Sequence, residues 1–321
     1  MNHYLGIDIG GTKCAVILGD ENGTVLEKRR FPTTTVKETL DLIMFTAQAV
    51  MEKAASEGHT PLAIGVSCGS PLDSKRGIIQ APPNLPDWVD VHITDMLTER
   101  FGIPAYLCND ANACALAEWR FGAGKGTRNM IFCTFGTGFG AGLILDGKLY
   151  AGTTDDAGEI GHVRLDPQGP VGYYKEGSVE GFCSGGGLRQ LGQRYAREAI
   201  QAGNPPAYCP TEDDLPSVTA LSLANAAYAG DPVALAVWQD CGEHLGRAMA
   251  ILVDLLNPEC IVIGSIFARS GDLLIPAMEK ALQREALPVA LSACRIVPAA
   301  LTETVGDLAA LTIAMEGGKR P

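Results

Sequence analysis

Hydrophobic residues recur along the chain in two periods, and the two kinds of segment alternate. Residues 36–57 carry apolar side chains at helical spacing and are predicted to form an amphipathic helix through Leu40, Ile43, Met44, Ala47, Val50 and Met51. The apolar runs 62–68 and 103–108 are typical of buried strands, whereas 90–102 and 111–122 predict helices. This alternation predicts an α/β fold.

Two similar segments suggest two lobes. Residues 4–31 and 130–152 each contain a strand, a glycine turn, a strand, a second glycine turn and a strand. We interpret them as related hairpins, each opening one lobe. The predicted division is an N-terminal α/β lobe of residues 1–118 and a C-terminal α/β lobe of residues 119–301. Residues 302–321 are predicted to form a small-residue helix that packs back on the first lobe.

Composition narrows the class of protein. The 321 residues are 46% hydrophobic and 19% charged, which fits a globular protein with a sizeable core. A net charge of −12 opposes binding to nucleic acid and to anionic membranes. The ten cysteines lie in apolar runs without a CxxC pair, which favours reduced, buried thiols. The sequence has neither a leader pattern nor a membrane-spanning run, and we expect a cytoplasmic protein.

The first turn of each hairpin offers a place for phosphate. Asp8-Ile9-Gly10-Gly11-Thr12-Lys13 and Phe135-Gly136-Thr137-Gly138-Phe139-Gly140 both present glycine backbone N–H groups. Tight hairpins also use glycine without any ligand, so a single copy supports either interpretation. The second copy favours a phosphate role for both. Asp8 is a candidate to hold Mg²⁺, directly or through water. Neither Walker nor Rossmann patterns are present.

A polar pair, Asn109-Asp110, separates the apolar run 103–108 from the helix 111–122. Either residue is a good helix N-cap, and a cap contributes about 0.5–2 kcal/mol. A cap needs only one such residue, however. At a strand-to-helix junction a carboxylate that is not needed as a cap, here that of Asp110, can point into a cleft and accept the proton of an attacking hydroxyl.

Residues 156–188 form a glycine-rich stretch that contains Glu159, His162 and Glu180. Carboxylates and an imidazole can hydrogen-bond the vicinal hydroxyls of a polyol. A lone histidine in such a loop is equally compatible with a hydrogen bond to the backbone, so the three residues together carry the prediction of a sugar site.

Six ordered motifs resemble those of one family, the ROK sugar kinases (repressor, open reading frame, kinase) of the actin-like ATPase superfamily. The motifs are DIGGTK, PPNLPDW, NDANACALAEWRFGAG, FGTGFGAG, AGEIGH and NPECIVIG, and they span nearly the whole chain. The resemblance implies an actin-like (ribonuclease H-like) fold whose two lobes enclose a cleft. It also implies phosphorylation of a hexose or hexosamine by ATP and Mg²⁺, most often at the 6-hydroxyl.

The resemblance assigns roles to individual residues. Asp110 corresponds to the general base. The implied sugar contacts are Gly69, Asn84, Asn109, Glu159, His162 and Glu180. The implied nucleotide contacts are Asp8, Gly10, Gly11, Thr12, Lys13, Gly136, Thr137, Gly138 and Gly264.

The sequence departs from the family where most members bind zinc. The family pattern C-x-C-G-x-x-G-C-x-E ends at Glu180, and its three cysteine positions hold Val171, Tyr173 and Ser178. His162 and Cys183 cannot complete a tetrahedral zinc site by themselves, so we predict no structural zinc.

Two consequences follow from these departures. Without zinc, we expect packed side chains such as Tyr173 and Tyr174 to order the loop before Glu180. The family also usually has three glycines near the nucleotide, whereas this chain has Gly264-Ser265-Ile266. The larger side chains at 265 and 266 make the adenosine pocket harder to predict.

Several alternatives remain at this stage. A sugar-sensing repressor of the same family would need an N-terminal helix-turn-helix, for which the phosphate turn at residue 8 leaves no room, and the acidic charge opposes DNA binding. A non-catalytic sugar-binding protein, or a kinase using polyphosphate or ADP as donor, is also conceivable. Glucose, fructose, mannose, N-acetylmannosamine, N-acetylglucosamine and allose are all substrates within the family, so fructokinase and N-acetylmannosamine kinase remain alternatives to glucokinase. We expect a homodimer.

Overall fold

Two five-stranded sheets form the framework of the protein in a computed structural model, which describes residues 1–317. The first sheet contains β1 (His3–Ile9), β2 (Lys13–Asp20), β3 (Val25–Pro32), β4 (Pro61–Cys68) and β8 (Ala105–Asn109), in the order β3-β2-β1-β4-β8. The second contains β9 (Met130–Phe135), β10 (Phe139–Leu145), β11 (Lys148–Tyr150), β14 (Cys260–Ile263) and β15 (Arg295–Pro298), in the order β11-β10-β9-β14-β15. Each sheet begins with an antiparallel meander and continues with parallel strands.

Two smaller sheets lie outside this framework. One contains β5 (Leu72–Asp73), β6 (Ile78–Ile79) and β7 (Val91–His92), and the other is the hairpin of β12 (Val171–Gly172) and β13 (Lys175–Glu176). The helices are α1 (Val36–Ser56), α2 (Ile93–Phe101), α3 (Asp110–Phe121), α4 (Val179–Phe182), α5 (Gly185–Gln201), α6 (Ala220–Tyr228), α7 (Pro232–Leu256), α8 (Ile266–Glu285), α9 (Pro288–Ala293) and α10 (Val305–Gly317).

The predicted elements correspond closely to those observed. Helix α1 begins after the N-cap Thr35, whose side chain accepts the N–H of Glu38, and it buries its apolar stripe against the first sheet. The meanders β1-β2-β3 and β9-β10-β11 are the two predicted hairpin segments. All ten cysteines lie within residues 1–317, and none of them forms a disulfide there.

Helix α10 packs against the first sheet at very short range. A Cβ placed on Gly65 of β4 would lie 2.2 Å from the carbonyl oxygen of Ala310, and one on Gly6 of β1 would lie 2.9 Å from the Cβ of Ala310. Glycine is therefore needed in both strands for this helix to approach. Residues 318–321 of the predicted helix 302–321 lie outside the described residues.

Helix α3 contacts elements of both sheets. Ala113 and Ala117 pack with β2 and α10, whereas Ala115 and Leu116 pack with β9 and β14. The predicted division at residues 118/119 falls inside this helix. That division, with its lobes 1–118 and 119–301, stays a prediction.

Candidate active site

The parallel strands of the first sheet end at one edge, and the candidate residues follow those ends. Ile9 pairs with Cys68, and Cys68 pairs with Asn109, so the glycine turn after β1, Gly69 after β4 and Asp110 after β8 lie along the same edge. Ligands of open α/β sheets bind beyond the carboxyl ends of such strands.

Asn109, not Asp110, caps helix α3. The Oδ1 atom of Asn109 accepts the backbone N–H groups of Ala111 at 2.9 Å and Asn112 at 3.3 Å. Its Nδ2 atom donates to the hydroxyl of Ser70 at 2.7 Å, which fixes the amide across two strand ends. The capping role is therefore filled by the buried member of the pair.

Asp110 occupies the first position of α3, and its side chain is exposed at the strand edge. One carboxylate oxygen accepts the N–H of Ala111 at 2.7 Å. Desolvation by the surrounding protein raises the pKa of this carboxyl above its ordinary value, although backbone hydrogen bonds oppose the shift. A carboxylate with a raised pKa is a stronger proton acceptor than a fully solvated one.

Asp8 lies near two further carboxylates. Burial, followed by the charges of Asp307 and Asp110, raises the pKa of Asp8 to about 6, while the cations Lys28 and Lys13 lower it. Lys28 forms an ion pair with Asp307 at the start of α10. The site therefore concentrates negative charge. Such a charge suits the binding of a divalent cation that is shared between a carboxylate and the phosphates of a substrate.

The first glycine turn is held open by its own backbone and by a threonine. The N–H of Gly10 donates to the carbonyl of Lys13 at 3.1 Å, and the hydroxyl of Thr33 donates to the carbonyl of Gly10 at 2.6 Å. A Cβ on Gly11 would lie 2.7 Å from Asn84, so this turn and the predicted sugar contact Asn84 touch. Thr12 and Lys13 are exposed at the tip.

The second glycine turn is tied to a predicted sugar ligand. The N–H of Gly136 donates to the carbonyl of Gly138 at 3.1 Å, and the N–H of Gly185 donates to the carbonyl of Gly136 at 2.8 Å. One carboxylate oxygen of Glu180 accepts the N–H of Phe139 at 3.0 Å. Thr137 stays exposed. Glu180 therefore fixes the turn and leaves its other oxygen for a ligand.

Glu159 and His162 lie at the two ends of a short 3₁₀ turn, Ile160–His162, and both are exposed. Burial, then the charges of Asp156, Asp110 and Glu180, raises the pKa of Glu159. This coupling places Glu159 within electrostatic range of both Asp110 and Glu180. That the three carboxyl groups line one sugar site stays a prediction.

A cavity of about 320 Å³ lies beside the second turn, where Gly264 follows β14. Its wall includes Phe132, Thr134, Gly264, Ala268, Arg269 and Glu303. Ser265, at φ 55° and ψ −110°, adopts a backbone conformation that favours glycine, and its hydroxyl accepts a hydrogen bond from Arg269 at 3.2 Å. Ser265 itself lines the cavity, at the position where the family usually has glycine.

Tyr173 and Tyr174 do not pack into the protein core, so the prediction that their packing orders the loop before Glu180 is wrong. The Tyr173 ring lies 5.4 Å from that of Tyr174 and 6.2 Å from that of His162, both measured between centroids, and these contacts stay within the loop and its flanking turn. Tyr174 is 95% exposed and Tyr173 is 61% exposed, both at positive φ in the turn between β12 and β13. A turn of this kind points side chains outward. The loop is held instead by side chains of α5 and α7, which reach it from distant parts of the sequence.

The donor set in this loop does not fit zinc. Val171 has no ligating atom, and Ser178 is used as the N-cap of α4, with its hydroxyl accepting the N–H of Gly181 at 3.1 Å. The Cys183 thiol faces the carbonyl of Cys241 at 3.7 Å. Within residues 1–317, no group of three or more histidine, cysteine, aspartate or glutamate side chains is arranged to hold a metal ion.

Two further polar contacts were not predicted from sequence. Asp155 accepts the backbone N–H and the hydroxyl of Ser74, both at 2.7 Å, and so joins the small sheet after β4 to the segment after β11. Glu118, fully buried in α3, accepts the N–H groups of Ala123, Ala300 and Leu301. The contacts of Asp155 with Ser74 and of Glu118 with Ala300 and Leu301 join residues far apart in sequence, so no local pattern signals them.

Comparison with known proteins assigns the chain to one family. The family model described as ROK family matches residues 4–316. The glucokinase of Thermotoga maritima is 31% identical over 313 residues, covering 97% of this chain and 97% of that protein. The DNA-binding transcriptional repressor Mlc of Escherichia coli is 30% identical over 292 residues, covering 89% of this chain and 69% of the repressor.

Among solved structures, a ROK family glucokinase from Streptomyces griseus in complex with glucose and AMPPNP is 30% identical. It superposes with a TM-score of 0.75 over 98% of this chain and 100% of that chain. This similarity confirms the predicted actin-like α/β fold with two lobes. No helix within residues 1–317 is long and apolar enough to cross a membrane.

Proposed function

This chain belongs to the ROK family, and we propose that it transfers the terminal phosphoryl group of ATP to a hydroxyl of a hexose. The observation that carries the proposal is the division of roles at the β8–α3 junction. Asn109 caps the helix, which leaves the Asp110 carboxylate exposed at the strand edge with a raised pKa. A carboxylate that was needed only for capping would not be placed in this way.

In the proposed reaction, Asp110 accepts the proton of the sugar hydroxyl while the oxygen of that hydroxyl forms a bond to the γ-phosphorus of ATP. The bond from that phosphorus to the bridging oxygen breaks, and ADP leaves with the electron pair. Asn84, Asn109, Glu159, His162 and Glu180 would orient the sugar hydroxyls, with Gly69 lining the site. Phosphoryl transfer relies mainly on such positioning and on charge stabilisation.

The two glycine turns would hold the phosphates. Backbone N–H groups at Gly11, Thr12, Thr137 and Gly138 are in turns that lie open to solvent at their tips. The exposed ammonium of Lys13 would add positive charge beside them. Asp8 would hold Mg²⁺ directly or through water, and the bound ion would neutralise phosphate charge during transfer.

The adenosine would occupy the cavity of about 320 Å³ next to Gly264. This cavity adjoins the second glycine turn, since a Cβ on Gly136 would lie 3.4 Å from the Ser265 hydroxyl. Closure of the lobes, in which the contact between Ser74 and Asp155 would take part, would exclude water as a competing acceptor.

Glucose is the proposed substrate, because the glucokinases of Thermotoga maritima and Streptomyces coelicolor are 31% and 33% identical to this chain. Fructose and N-acetylmannosamine are alternatives. The 6-hydroxyl is the proposed acceptor, on the family resemblance. ADP release measured with glucose, fructose, mannose, N-acetylmannosamine, N-acetylglucosamine and allose tests the choice of sugar. We expect the highest kcat/KM with glucose, and no acceleration by any sugar over the rate without sugar would contradict the proposal.

A sugar-sensing regulator is the second candidate, because the repressor Mlc is 30% identical to this chain. The net charge of −12 and the placement of Asp110 favour the kinase. Calorimetric binding of glucose without any ADP release would support the regulator. Polyphosphate and ADP, compared with ATP at one saturating sugar concentration, would identify the phosphoryl donor.

A further inference from the structure

A loop of residues 163–178 joins the 3₁₀ turn that carries His162 to helix α4, which carries Glu180. Its ends are tied together by backbone hydrogen bonds. The N–H of Val179 donates to the carbonyl of Val163 at 2.9 Å, and the N–H of Leu165 donates to the carbonyl of Gly177 at 2.8 Å. These bonds close the loop but do not anchor it to the rest of the molecule.

Gln190 of α5 accepts the N–H of Val171 and donates to its carbonyl, both at 2.9 Å. The charged anchor is a carboxylate of the loop held by two cationic side chains of α7. Arg247 donates to both oxygens of Asp166, at 3.0 and 3.1 Å, and also to the carbonyl of Leu165 at 2.7 Å. The Nε2 atom of His244 lies 2.7 Å from Asp166 Oδ2. A bidentate arginine–carboxylate pair with a third charge-assisted bond is among the stronger polar contacts in proteins. We call Asp166, His244 and Arg247 the loop clamp.

The surroundings of His244 determine its charge. Its Nε2 atom faces a carboxylate oxygen of Asp166, and its Nδ1 atom faces the backbone carbonyl of Asp240 at 2.8 Å and an Asp240 carboxylate oxygen at 3.0 Å. All of these partners are acceptors, so both ring nitrogens must carry protons. Arg194 and Tyr195 of α5 bind the far side of Asp240. The imidazolium is therefore part of a charged network that spans α5, α7 and the loop.

The clamp is connected to the sugar side of the site by an aromatic contact. The ring of Phe182 stacks on His244 at a centroid distance of 3.5 Å and an interplanar angle of 7°. Phe182 belongs to the same single-turn helix as Glu180, whose carboxylate holds the second glycine turn. A displacement of His244 would therefore move the helix that carries Glu180.

We propose that the loop clamp positions Glu180 and His162 for sugar binding, in the place where most ROK proteins use a zinc ion. The proposal rests on the proposed sugar kinase function. Asp166, His244 and Arg247 are positioning residues, because they act through the loop and α4 and do not touch the sugar. The donor set described above excludes zinc at the family's position, and the clamp supplies the missing cross-link from this chain's own side chains.

A set of single variants tests the clamp. Asp166→Asn and Arg247→Met are expected to raise the sugar KM about tenfold, which corresponds to about 1.4 kcal/mol of binding free energy, and to leave the ATP KM unchanged. Arg247→Lys keeps the positive charge but loses the bidentate guanidinium contact with Asp166. Its sugar KM should therefore lie between those of the wild type and Arg247→Met. Glu243→Gln is the matched control, because Glu243 precedes His244 on α7 and pairs with Arg284 away from the loop.

The pH dependence of the sugar KM distinguishes the clamp from a purely structural role, which would not change with the protonation of His244. Burial lowers the pKa of His244, but the hydrogen bonds and charges of Asp240 and Asp166 raise it by more. The net pKa is therefore above the ordinary value of 6.5. The clamp is therefore complete at pH values below 6.5 that leave Asp166 ionised, and it is lost as the pH rises through the raised pKa of His244. The sugar KM of the wild type should increase on that alkaline side, and His244→Gln should show a high KM without this pH dependence.

Metal analysis and proteolysis separate the clamp from the enzyme proposal. We expect purified protein to contain no stoichiometric zinc and to retain its sugar KM after chelation and restoration of Mg²⁺. Trypsin should cleave after Lys175 faster in Asp166→Asn than in Glu243→Gln. That difference would support the clamp even if no sugar were phosphorylated, in which case the proposed function alone would fail. One zinc ion per chain, or an unchanged sugar KM and cleavage rate in both clamp variants, would overturn the inference.

Discussion

At the scale of single residues, negative charges lie close together in the site. The charges of Asp307 and Asp110 disfavour ionisation of the buried Asp8. Lys28 offsets part of this repulsion through its ion pair with Asp307. Such an arrangement lowers the stability of the ligand-free protein and prepares the site for a cation.

Replacement of Asp8 by asparagine should therefore stabilise the ligand-free protein. Its pKa is about 6 when folded and about 3.8 when unfolded, so ionisation between these values destabilises the folded state. At pH 7 we expect Asp8→Asn to raise the free energy of unfolding by about 1–3 kcal/mol, and below pH 3.8 the gain should vanish.

Urea denaturation of metal-free protein at both pH values measures this effect. Asp307→Asn provides the control, because removal of that charge lowers the pKa of Asp8 and should reduce the gain. A destabilised Asp8→Asn protein at pH 7 would show that Asp8 makes a stabilising contact that outweighs its repulsion.

At the scale of secondary structure, the N-terminus of α3 determines where Asp110 lies. The Asn109 side chain accepts two N–H groups of the first turn and binds Ser70 at the end of the neighbouring strand. The cap therefore fixes both the start of the helix and its position relative to β4.

Asn109→Ala should lower the free energy of unfolding by about 0.5–2 kcal/mol, because the N–H of Asn112 loses its acceptor and that of Ala111 keeps only the Asp110 carboxylate. It should also lower kcat, since Asp110 is no longer held in place. Asn109→Asp is the matched variant, which keeps a capping oxygen and can accept a hydrogen bond from Ser70. Chemical denaturation and ADP release measure the two effects. If Asn109→Asp is as unstable as Asn109→Ala, the amide nitrogen rather than the cap is the essential group.

Local patterns in the sequence predict most of these elements and miss the contacts between them. The periodicity of α1, the apolar runs of β4 and β8 and the small residues of α10 are local signals, and the structure confirms each of them. Tyr173 and Tyr174 were expected to pack and are exposed, because turn geometry decides their direction. Asp166 and Arg247 are separated by 81 residues, so only the fold brings them together.

The same distinction applies to the candidate site. Sequence and family resemblance indicate Asp8, Asp110, Glu159 and Glu180, and their assignment to one site stays a prediction. The charge of Asp110 raises the pKa of both Asp8 and Glu159. The choice between Asn109 and Asp110 as the cap could not be made from sequence, because both residue types suit that position. Only the side-chain geometry separates the two roles.

At the scale of the whole molecule, one buried carboxylate links the two segments that cross between the sheets. Glu118 accepts the N–H of Ala123, which follows α3, and those of Ala300 and Leu301, which precede α10. A Cβ on Gly122 would lie 2.0 Å from the Glu118 carboxylate, so the first crossing depends on this close approach.

Glu118→Gln should lower the free energy of unfolding by about 1–3 kcal/mol, because the buried amide has one accepting oxygen where the carboxylate uses two to accept three N–H groups. Glu259→Gln is the matched control. Glu259 accepts the N–H groups of Arg128 and Asn129 in the same manner but is exposed, so water can replace the lost acceptor. Thermal denaturation of both variants measures the difference. Equal, small losses would mean that the crossing segments are held by packing alone.

The turnover of Asp110→Asn tests the central claim most directly. The substitution leaves the Asn109 cap intact, so the folded protein and its affinity for glucose, measured by calorimetry, should be preserved. ADP release should fall by a factor of about 10²–10⁴, the usual contribution of a positioned general base. Wild-type turnover by the folded Asp110→Asn protein would contradict the claim that this carboxylate accepts the sugar's proton.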